Sequence, residues 1–198
     1  MTYLLRYIRE LPGYKRDDAP TISFLSATVD GSELLTMFPE CQVIKHNAPR
    51  FPVTTHYLKS SAGEIMNEKS RIPVTMSRIV TCCREHGENP GDILVFASGQ
   101  GTVDRLVEMC EQEPDCEGCV ALRCYGQLSS AELDLVTESV PMSLESVKAW
   151  QKKHELTELD MQEMGLDYII NQMMSAKRKI VCGTNVLESS VTVNGSEY

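Results

Sequence analysis

Residues 90–100 read PGDILVFASGQ, and this stretch decides the fold. The run DILVF at 92–96 follows a Pro-Gly turn and is apolar after its first residue, which predicts a buried strand of a parallel sheet. The polar turn ASGQ at 97–100 leads into a predicted helix, because apolar residues recur beyond it at helical spacing. Those residues are Val103, Leu106, Val107 and Cys110. A buried strand, a polar turn and an amphipathic helix together form the repeating unit of an α/β protein.

The same alternation of strands and helices extends to both sides of this unit. Strands are predicted at 21–27, 42–45, 53–58, 120–124, 179–182 and 191–193. Helices are predicted at 3–11, from Asp30 with Leu34, Leu35 and Phe38 as a buried face, at 64–86 with Pro73 at a start or break, and after the capping box Ser129-x-x-Glu132. Residues 183–190 are predicted as a polar turn or short helix. The predicted fold class is therefore α/β, a parallel sheet with helices on both faces.

The composition is that of a globular protein, with 42% hydrophobic and 24% charged residues among 198. The 28 acidic and 19 basic residues give a net charge of -9, which argues against a protein that holds nucleic acid through bulk positive charge. No apolar run approaches the length of a membrane span, and the N-terminal stretch is too polar for a secretory signal. We therefore expect no membrane partner and an intracellular protein, nuclear or cytoplasmic, with reduced thiols.

The spacing of four cysteines leaves a zinc-binding module open as a minor alternative. Cys110, Cys116, Cys119 and Cys124 form the pattern C-x5-C-x2-C-x4-C. A zinc site would require a helical Cys110 and a strand-end Cys124 to converge on one acidic loop. The favoured interpretation is that these residues bind no metal.

Polar segments rich in glycine and small hydroxyl side chains follow three of the predicted strands. They are Ser26-Ala27-Thr28, Ala97-Ser98-Gly99-Gln100 and Gly183-Thr184-Asn185. Parallel sheets bind ligands beyond the carboxyl ends of their strands, and hydroxyls with free amides can hold phosphate without net positive charge. The alternative is that such residues simply form good turns. No lysine-bearing phosphate loop, zinc-protease motif or serine-hydrolase motif is present, so these patterns alone predict a ligand-binding domain without catalytic machinery.

Taken in order, these segments and their neighbours resemble the DEAH-box RNA helicases of helicase superfamily 2. The matching pieces are ISFLSATVD (22–30), PRFPV (49–53), PGDILVFASGQ (90–100), YGQLSSAE (125–132) and KRKIVCGTNVLESSVTV (177–193). The resemblance covers residues 1–141 and 177–198. It implies RecA-like domains of the P-loop NTPase type, with RNA as the partner and ATP with Mg²⁺ as cofactors.

The resemblance also implies a division of the chain. Residues 1–45 would be the C-terminal part of the first RecA-like domain, 46–52 the linker, and 53–198 a partial second domain with an inserted helical segment at 142–176. The phosphate loop and the metal-binding tetrad would precede Met1, and an arginine-rich motif would follow Tyr198. On this interpretation the sheet is incomplete. We then expect ATP and Mg²⁺ to bind the intact parent and neither to bind this chain alone, which should not hydrolyse ATP.

Individual residues take roles from the same resemblance. Ser26, Ala27 and Thr28 match the motif that couples nucleotide state to strand separation. Residues that match RNA-backbone contacts are Ser98, Gly99, Gln100, Ser129, Thr184 and Asn185, and those near the nucleotide are Glu188 and Ser190. Two departures stand out. Leu187 replaces a family alanine and is expected to add bulk near a phosphate site, and Thr137 replaces a phenylalanine that stacks on adenine.

Two functions remain open. The first is part of an ATP-dependent RNA helicase that couples NTP hydrolysis to RNA strand separation or to remodelling of RNA–protein complexes. The second is a non-catalytic RNA- or protein-binding module derived from such a helicase. The segment 142–176 bears on the choice, since Leu166, Ile169, Ile170 and Met173 define an apolar helix face. That segment, which also holds Trp150, either packs against its own domain or forms an arm for a protein partner.

Overall fold

The structure is a computed structural model, and it describes residues 23, 32, 35–36, 38–39, 41–44, 54–57, 68–85 and 91–189. The chain divides into two compact units, Met1–Arg50 and Phe51–Tyr198. The second unit contains, in chain order, α1 (Glu68–Glu85), β1 (Ile93–Phe96), α2 (Gln100–Gln112), a short 3-10 helix (Pro114–Cys116), β2 (Cys119–Cys124), α3 (Ser130–Thr137), α4 (Leu144–His154), α5 (Glu158–Glu163), α6 (Leu166–Ser175), β3 (Arg178–Gly183) and α7 (Val186–Ser189).

The described strands form one parallel sheet in the order β1-β3-β2. β3 lies in the middle, with Phe96 and Cys124 both in register with Gly183 at its carboxyl end. Parallel neighbours need crossover connections, and the helices between the strands supply them. The predicted α/β class is therefore confirmed.

Helices α1 and α2 cover one face of the sheet. The predicted face of α2 is confirmed, because Val103, Leu106, Val107 and Cys110 are all buried. They pack in one cluster with α1 and with Val95 of β1 and Ile180 and Cys182 of β3. On β3, the intervening Val181 belongs to the core on the opposite face, as the two-residue period of a strand requires.

Pro73 lies inside α1, so the prediction that it marks a helix start or break is wrong. Proline removes the amide that would bond one turn back along the helix. Ile72, Met76 and Ile79 of the same helix are buried in the core. Because most helical stability in proteins comes from such packing, the helix tolerates the loss of one bond.

Helices α3, α4 and α6 cover the other face. Leu166, Ile170 and Met173 of α6 and Trp150 of α4 are buried in one cluster with α3 and β2. Trp150 Nε1 donates to the carbonyl oxygen of Ala131 at 3.3 Å, which satisfies the indole inside the core. The inserted segment 142–176 therefore packs its main apolar face against its own domain.

The amino end of α3 has the predicted capping box. Ser129 Oγ accepts from the amide of Glu132 at 3.2 Å, and Glu132 Oε2 accepts from the amide of Ser129 at 2.8 Å. The same helix is tied to α4 by Asp134, whose Oδ2 contacts Lys153 Nζ and lies 2.9 Å from His154 Nε2. Lys153, together with His154, holds the pKa of Asp134 below its usual value.

Strand β1 is less buried than its sequence predicts. Leu94 is 37% and Phe96 60% exposed, although Val95 is buried. The apolar cluster on the side of Val181 contains β2 and β3 but no residue of β1. Among the described residues β1 pairs with β3 alone, so it is an edge strand there and the prediction of full burial is wrong.

Three sequence predictions near the division between the units are also wrong. Residues 42–44 and 54–57 have no regular secondary structure, since no described strand pairs with either, and Ile44 and Tyr57 are both 88% exposed. Helical structure is present at residues 32, 35 and 36, and Phe38 is buried, but Leu35 is exposed rather than part of a buried face.

The predicted helix at 3–11 and strand at 191–193 lie outside the described residues, as does the strand at 21–27 apart from Ser23, which is irregular. The assignment of 1–45, 46–52 and 53–198 to domains and a linker stays a prediction.

In the part of the chain that the structure describes, no helix has both the length and the apolar character of a membrane span.

We expect Asp134→Asn to lower the free energy of unfolding at pH 7 by about 1 kcal/mol, because it removes the carboxylate that Lys153 and His154 contact. The pKa of Asp134 is lowered in the folded protein, so its contribution is present above the usual carboxyl pKa and is lost as pH falls through the folded pKa. Urea unfolding at a series of pH values measures the difference. Glu108→Gln, an exposed change on α2, is the control. A deficit that persists when Asp134 is protonated would contradict the electrostatic origin.

Candidate nucleic-acid interface

The carboxyl ends of the three described strands meet at one edge of the sheet. The amide of Ala97, just after β1, donates to the carbonyl oxygen of Gly183 at 2.8 Å, and the amide of Thr184, just after β3, donates to the carbonyl oxygen of Cys124 at 3.0 Å. These two bonds extend the parallel ladder one step beyond the strands. The structure therefore brings the predicted segments 97–100 and 183–185 together, beside the turn at 125–129.

The backbone after β1 is open to close approach. Gly99 is the N-cap of α2, and its carbonyl oxygen accepts from the amides of Thr102 and Val103 at 3.1 Å each. A Cβ atom built on Gly99 or Gly101 would meet nothing within 4 Å. The first turn of α2 has no acidic residue and no side-chain cap. Its first amides and the positive end of the helix dipole therefore suit an anion such as a phosphate.

Gln100 lies beside a polar network that the sequence did not predict. Tyr125, just after β2, is within hydrogen-bonding reach of the Gln100 side chain, and its hydroxyl lies 3.4 Å from Asp104 Oδ1. Burial, followed by the Asp104 carboxylate, raises the pKa of Tyr125. Arg123 Nε donates to the same Asp104 oxygen at 3.0 Å. The sequence feature that indicates this network is Arg123, a single charged residue in the otherwise apolar strand 119–124.

The turn after β3 presents polar side chains. Asn185 is exposed and Thr184 is half-buried. Within the described residues neither side chain makes a hydrogen bond, and the turn is closed by the backbone, where the amide of Leu187 donates to the carbonyl oxygen of Thr184 at 3.1 Å. The Thr184 hydroxyl and the Asn185 amide therefore have hydrogen-bonding capacity to offer a ligand.

Leu187 supports this turn from the core. A Cβ atom on Gly183 would lie 2.4 Å from Leu187 Cδ1 and 2.7 Å from the carbonyl oxygen of Cys124. Leu187 is buried in the cluster of α3, α4 and α6. Its side chain therefore packs in the core beneath the turn. The expectation that its bulk lies near a phosphate site stays a prediction. The small residue at 183 and the large one at 187 fit each other.

Ser129 already has partners inside the protein. Besides accepting from the amide of Glu132, its hydroxyl donates to Glu132 Oε2 at 2.8 Å, so it serves the cap of α3. Thr137, at the other end of α3, donates its hydroxyl to the carbonyl oxygen of Asp134 at 2.8 Å. An RNA contact by Ser129 stays a prediction.

The remaining predicted site residues are not tested by the geometry. Ser26, Ala27, Thr28 and Ser190 lie outside the described residues. Glu188 lies in the short helix α7, and its place near a nucleotide stays a prediction.

The zinc alternative requires Cys110 and Cys124 to converge, and they do not. Cys124 packs on the face of α3 and α6, whereas Cys110 and Cys116 pack on the face of α1 and α2, so the sheet separates them. Among the described side chains, no three histidines, cysteines, aspartates or glutamates are arranged to hold a metal ion.

Comparison with known proteins identifies RNA helicases as relatives. The chain is 23% identical over 204 residues to the probable ATP-dependent RNA helicase DHR2 of Saccharomyces cerevisiae, covering 98% of this chain and 22% of that protein. It is 26% identical to the probable ATP-dependent RNA helicase DHX35 homolog of Caenorhabditis elegans, with 74% and 15% covered. It is 24% identical to the pre-mRNA-splicing factor ATP-dependent RNA helicase prp22 of Schizosaccharomyces pombe, with 93% and 13% covered. The chain thus spans less than a quarter of the length of these curated relatives.

Solved structures show the same fold. Two crystal structures of Escherichia coli HrpB, described as a DExH-box NTPase and as a DEAH/RHA helicase, superpose with TM-scores of 0.51 and 0.53 at 22% and 23% identity. Each covers 86% of this chain and 16% of HrpB. No family model matches the chain. The similarity to these helicases and to the HrpB structures confirms the resemblance to DEAH-box RNA helicases and the RecA-like fold.

We expect Gly183→Ala to cost about 1–3 kcal/mol of unfolding free energy, because its methyl group overlaps the Leu187 side chain. Leu187→Ala should cost about 2–3 kcal/mol through the cavity that it leaves. In the double variant the added methyl group occupies that cavity, although it still lies too close to the carbonyl oxygen of Cys124. The combined cost should therefore be smaller than the sum by about 1 kcal/mol. Urea unfolding of the four proteins measures the coupling, and strictly additive costs would refute the fit.

Proposed function

We propose that this chain acts as part of an ATP-dependent RNA helicase, and that the carboxyl edge of the sheet β1-β3-β2 binds the RNA backbone. The observation that carries the proposal is that the turns after β1 and β3 lie together at one edge of the sheet. The amide of Ala97 donates to the carbonyl oxygen of Gly183 at 2.8 Å, and the amide of Thr184 donates to that of Cys124 at 3.0 Å. The relatives are ATP-dependent RNA helicases, which supports the same assignment. A nuclear or cytoplasmic location accompanies the proposal.

The chemistry of this edge suits the phosphate backbone better than the bases. Its groups are the open amides at Gly99 and Gln100, the hydroxyl of Thr184 and the amide of Asn185. Such groups fix nucleic acid through phosphate and sugar and carry no sequence information. The net charge of -9 is compatible with this mode of binding, because backbone amides and hydroxyls require no basic surface.

ATP and Mg²⁺ are the cofactors proposed for the complete protein. Glu188 and Ser190 follow the RNA-facing turn directly in sequence, so a nucleotide beside them would lie next to the RNA site. The motif Ser26-Ala27-Thr28 is proposed to couple the nucleotide to RNA strand separation. Energy from NTP hydrolysis would then act on RNA strands or on RNA–protein complexes.

A non-catalytic binding module derived from a helicase remains the second candidate. The inserted segment leaves Leu159 and Tyr168 exposed even though its main apolar face is buried. Residues 155–176 contain five acidic residues and no lysine or arginine. A partner protein with basic charge would suit this surface, whereas RNA would be repelled by it. Protein binding without ATP turnover in the complete protein would favour this second function.

Thr184→Ala is expected to weaken binding of a short single-stranded RNA by roughly tenfold, about 1.5 kcal/mol, through loss of one hydrogen bond to a charged phosphate. Fluorescence anisotropy at moderate salt measures the dissociation constant. Ser175→Ala is the matched control, because it removes a hydroxyl just before β3, at the other end of that strand. Equal affinity of the Thr184→Ala variant and the parent would rule out this contact.

Ser190→Ala is expected to slow ATP turnover of the complete protein more than it weakens RNA binding, because a nucleotide-sensing hydroxyl acts on the hydrolysis step. Steady-state ATPase rates with saturating RNA, compared with RNA affinities, separate the two effects. Equal losses in both measurements, or no loss in either, would argue against the sensor role.

A further inference from the structure

Five cysteines from five different elements gather in the core between the sheet and helices α1 and α2. Cys110 and Cys116 are buried there together with Cys182, and Cys83 and Cys119 pack against the same cluster. All of them are free thiols. Packing alone would be served equally well by alanine or valine, whereas thiols in mutual contact add a capacity for covalent chemistry.

Two of these thiols lie in direct contact across the fold. The sulfur atoms of Cys83, in the last turn of α1, and Cys116, in the 3-10 helix before β2, are 3.9 Å apart. A disulfide bond is about 2.05 Å long, so a closure of about 1.9 Å would join them. Burial, followed by the neighbouring Cys83, raises the pKa of Cys116. A neutral Cys116 thiol can therefore lie against a second sulfur without charge repulsion. It is a poor nucleophile in that state, so the half-buried Cys83 is the sulfur that reacts with a peroxide first.

An ion pair holds the same two segments in register. Arg84, next to Cys83, contacts the carboxylate of Asp115, next to Cys116. The two neighbouring contacts fix the end of α1 against the 3-10 helix at two successive positions. Little rearrangement is then needed for the two sulfur atoms to meet, because the backbone segments are already aligned.

A cavity gives small molecules access to this cluster. Its volume is about 280 Å³, and the residues that line it include Cys110, Cys116 and Cys119 together with Glu111, Glu113 and Glu117. An uncharged molecule of the size of hydrogen peroxide fits such a space, and the glutamates disfavour anionic reagents. Cys116 thus lines this cavity and also contacts Cys83.

We propose that Cys83 and Cys116 are a site of reversible oxidation, at which a peroxide converts the two thiols into a disulfide. The Cys83 sulfur, as a thiolate, attacks a peroxide oxygen, the O–O bond breaks, and a sulfenic acid on Cys83 and a first water form. The second sulfur then displaces the sulfenic oxygen as a second water, and the S–S bond forms. Two electrons pass from the thiols to the peroxide, and both thiol protons leave in the waters. A dithiol reductant reverses the reaction.

The crosslink would fasten the end of α1 to the segment that leads into β2. The Arg84–Asp115 ion pair joins those segments, but its Arg84 side chain is 65% exposed, so the pair contributes little stability. Closing a loop covalently restricts the unfolded chain more than the folded one, so the oxidised protein should melt at a higher temperature. The proposal is independent of RNA binding and of ATP.

The test treats the whole reduced chain with excess hydrogen peroxide, blocks the remaining thiols and determines the intact mass. Before blocking, the expected product is a monomer that has lost two hydrogen atoms and melts several degrees higher. After blocking it carries six blocking groups, and treatment with dithiothreitol before blocking restores all eight. Trypsin leaves Cys82 with Cys83 on one peptide and Cys110, Cys116 and Cys119 on another, so single variants assign the bond. We expect Cys83→Ser and Cys116→Ser to abolish the crosslink, and the neighbouring controls Cys82→Ser and Cys119→Ser to retain it.

Three results would overturn the proposal. They are a crosslink that persists in Cys83→Ser or Cys116→Ser, a disulfide that forms only between molecules, and oxygen added to the thiols without loss of hydrogen. If a serine variant proves unfolded by circular dichroism, the corresponding alanine variant replaces it, since alanine buries no new polar group at the site.

Discussion

The structure depends on the central strand β3, which pairs with β1 and β2 and is buried along its whole length. Its beginning holds a buried lysine. Lys179 Nζ donates to the carbonyl oxygens of Val136 and Glu138 and lies 3.5 Å from Asp92 Oδ2, while Asp92 Oδ1 accepts from the amide of Lys179 at 2.9 Å. Burial lowers the pKa of Lys179, and Asp92 opposes that shift. A buried ammonium is tolerable only with such partners, so the start of β1, the start of β3 and the end of α3 are fastened at one point.

With the amino ends of the strands fastened there, the carboxyl ends are placed in register at the other edge. The bond from Ala97 to Gly183 and the bond from Thr184 to Cys124 then bring the polar turns together. Gly183 and Leu187 define how closely the turn after β3 approaches β2. Trp150 and Met173 of the inserted segment pack in the core on the second face of the sheet. The segment therefore stabilises the sheet whose edge carries the proposed site. The proposed RNA site is therefore a consequence of how the sheet is clamped, and its groups are mostly backbone amides and short side chains.

The parts of the fold that depend on local pattern could be predicted from the sequence. The face of α2 and the Ser129–Glu132 capping box are examples, because each is set by spacing within one element. Tertiary context decided the rest. Residues 42–44 and 54–57 have strand-like composition but no described partner strand, and Phe96 is exposed because β1 has a partner on one side only among the described residues. The fit of Leu187 to Gly183, the Asp104–Arg123 pair and the Cys83–Cys116 contact join residues whose separation in sequence follows no local rule. The residues proposed to face RNA were identified through resemblance, since serine, threonine and glycine in turns are individually uninformative.

The central claim is that RNA binds at the carboxyl edge of the sheet β1-β3-β2. Amide chemical shifts of the isotopically labelled chain, followed by NMR during titration with a short single-stranded RNA, test it most directly. The claim predicts that the amides of Gly99, Gln100, Thr184 and Asn185 shift together and with one dissociation constant. Shifts confined to the opposite edge, where the amide of Lys177 donates to the carbonyl oxygen of Gly118 at 2.8 Å, would contradict it. So would the absence of any shift at RNA concentrations up to about 100 μM, the weak end of the range in which non-specific phosphate contacts bind nucleic acid.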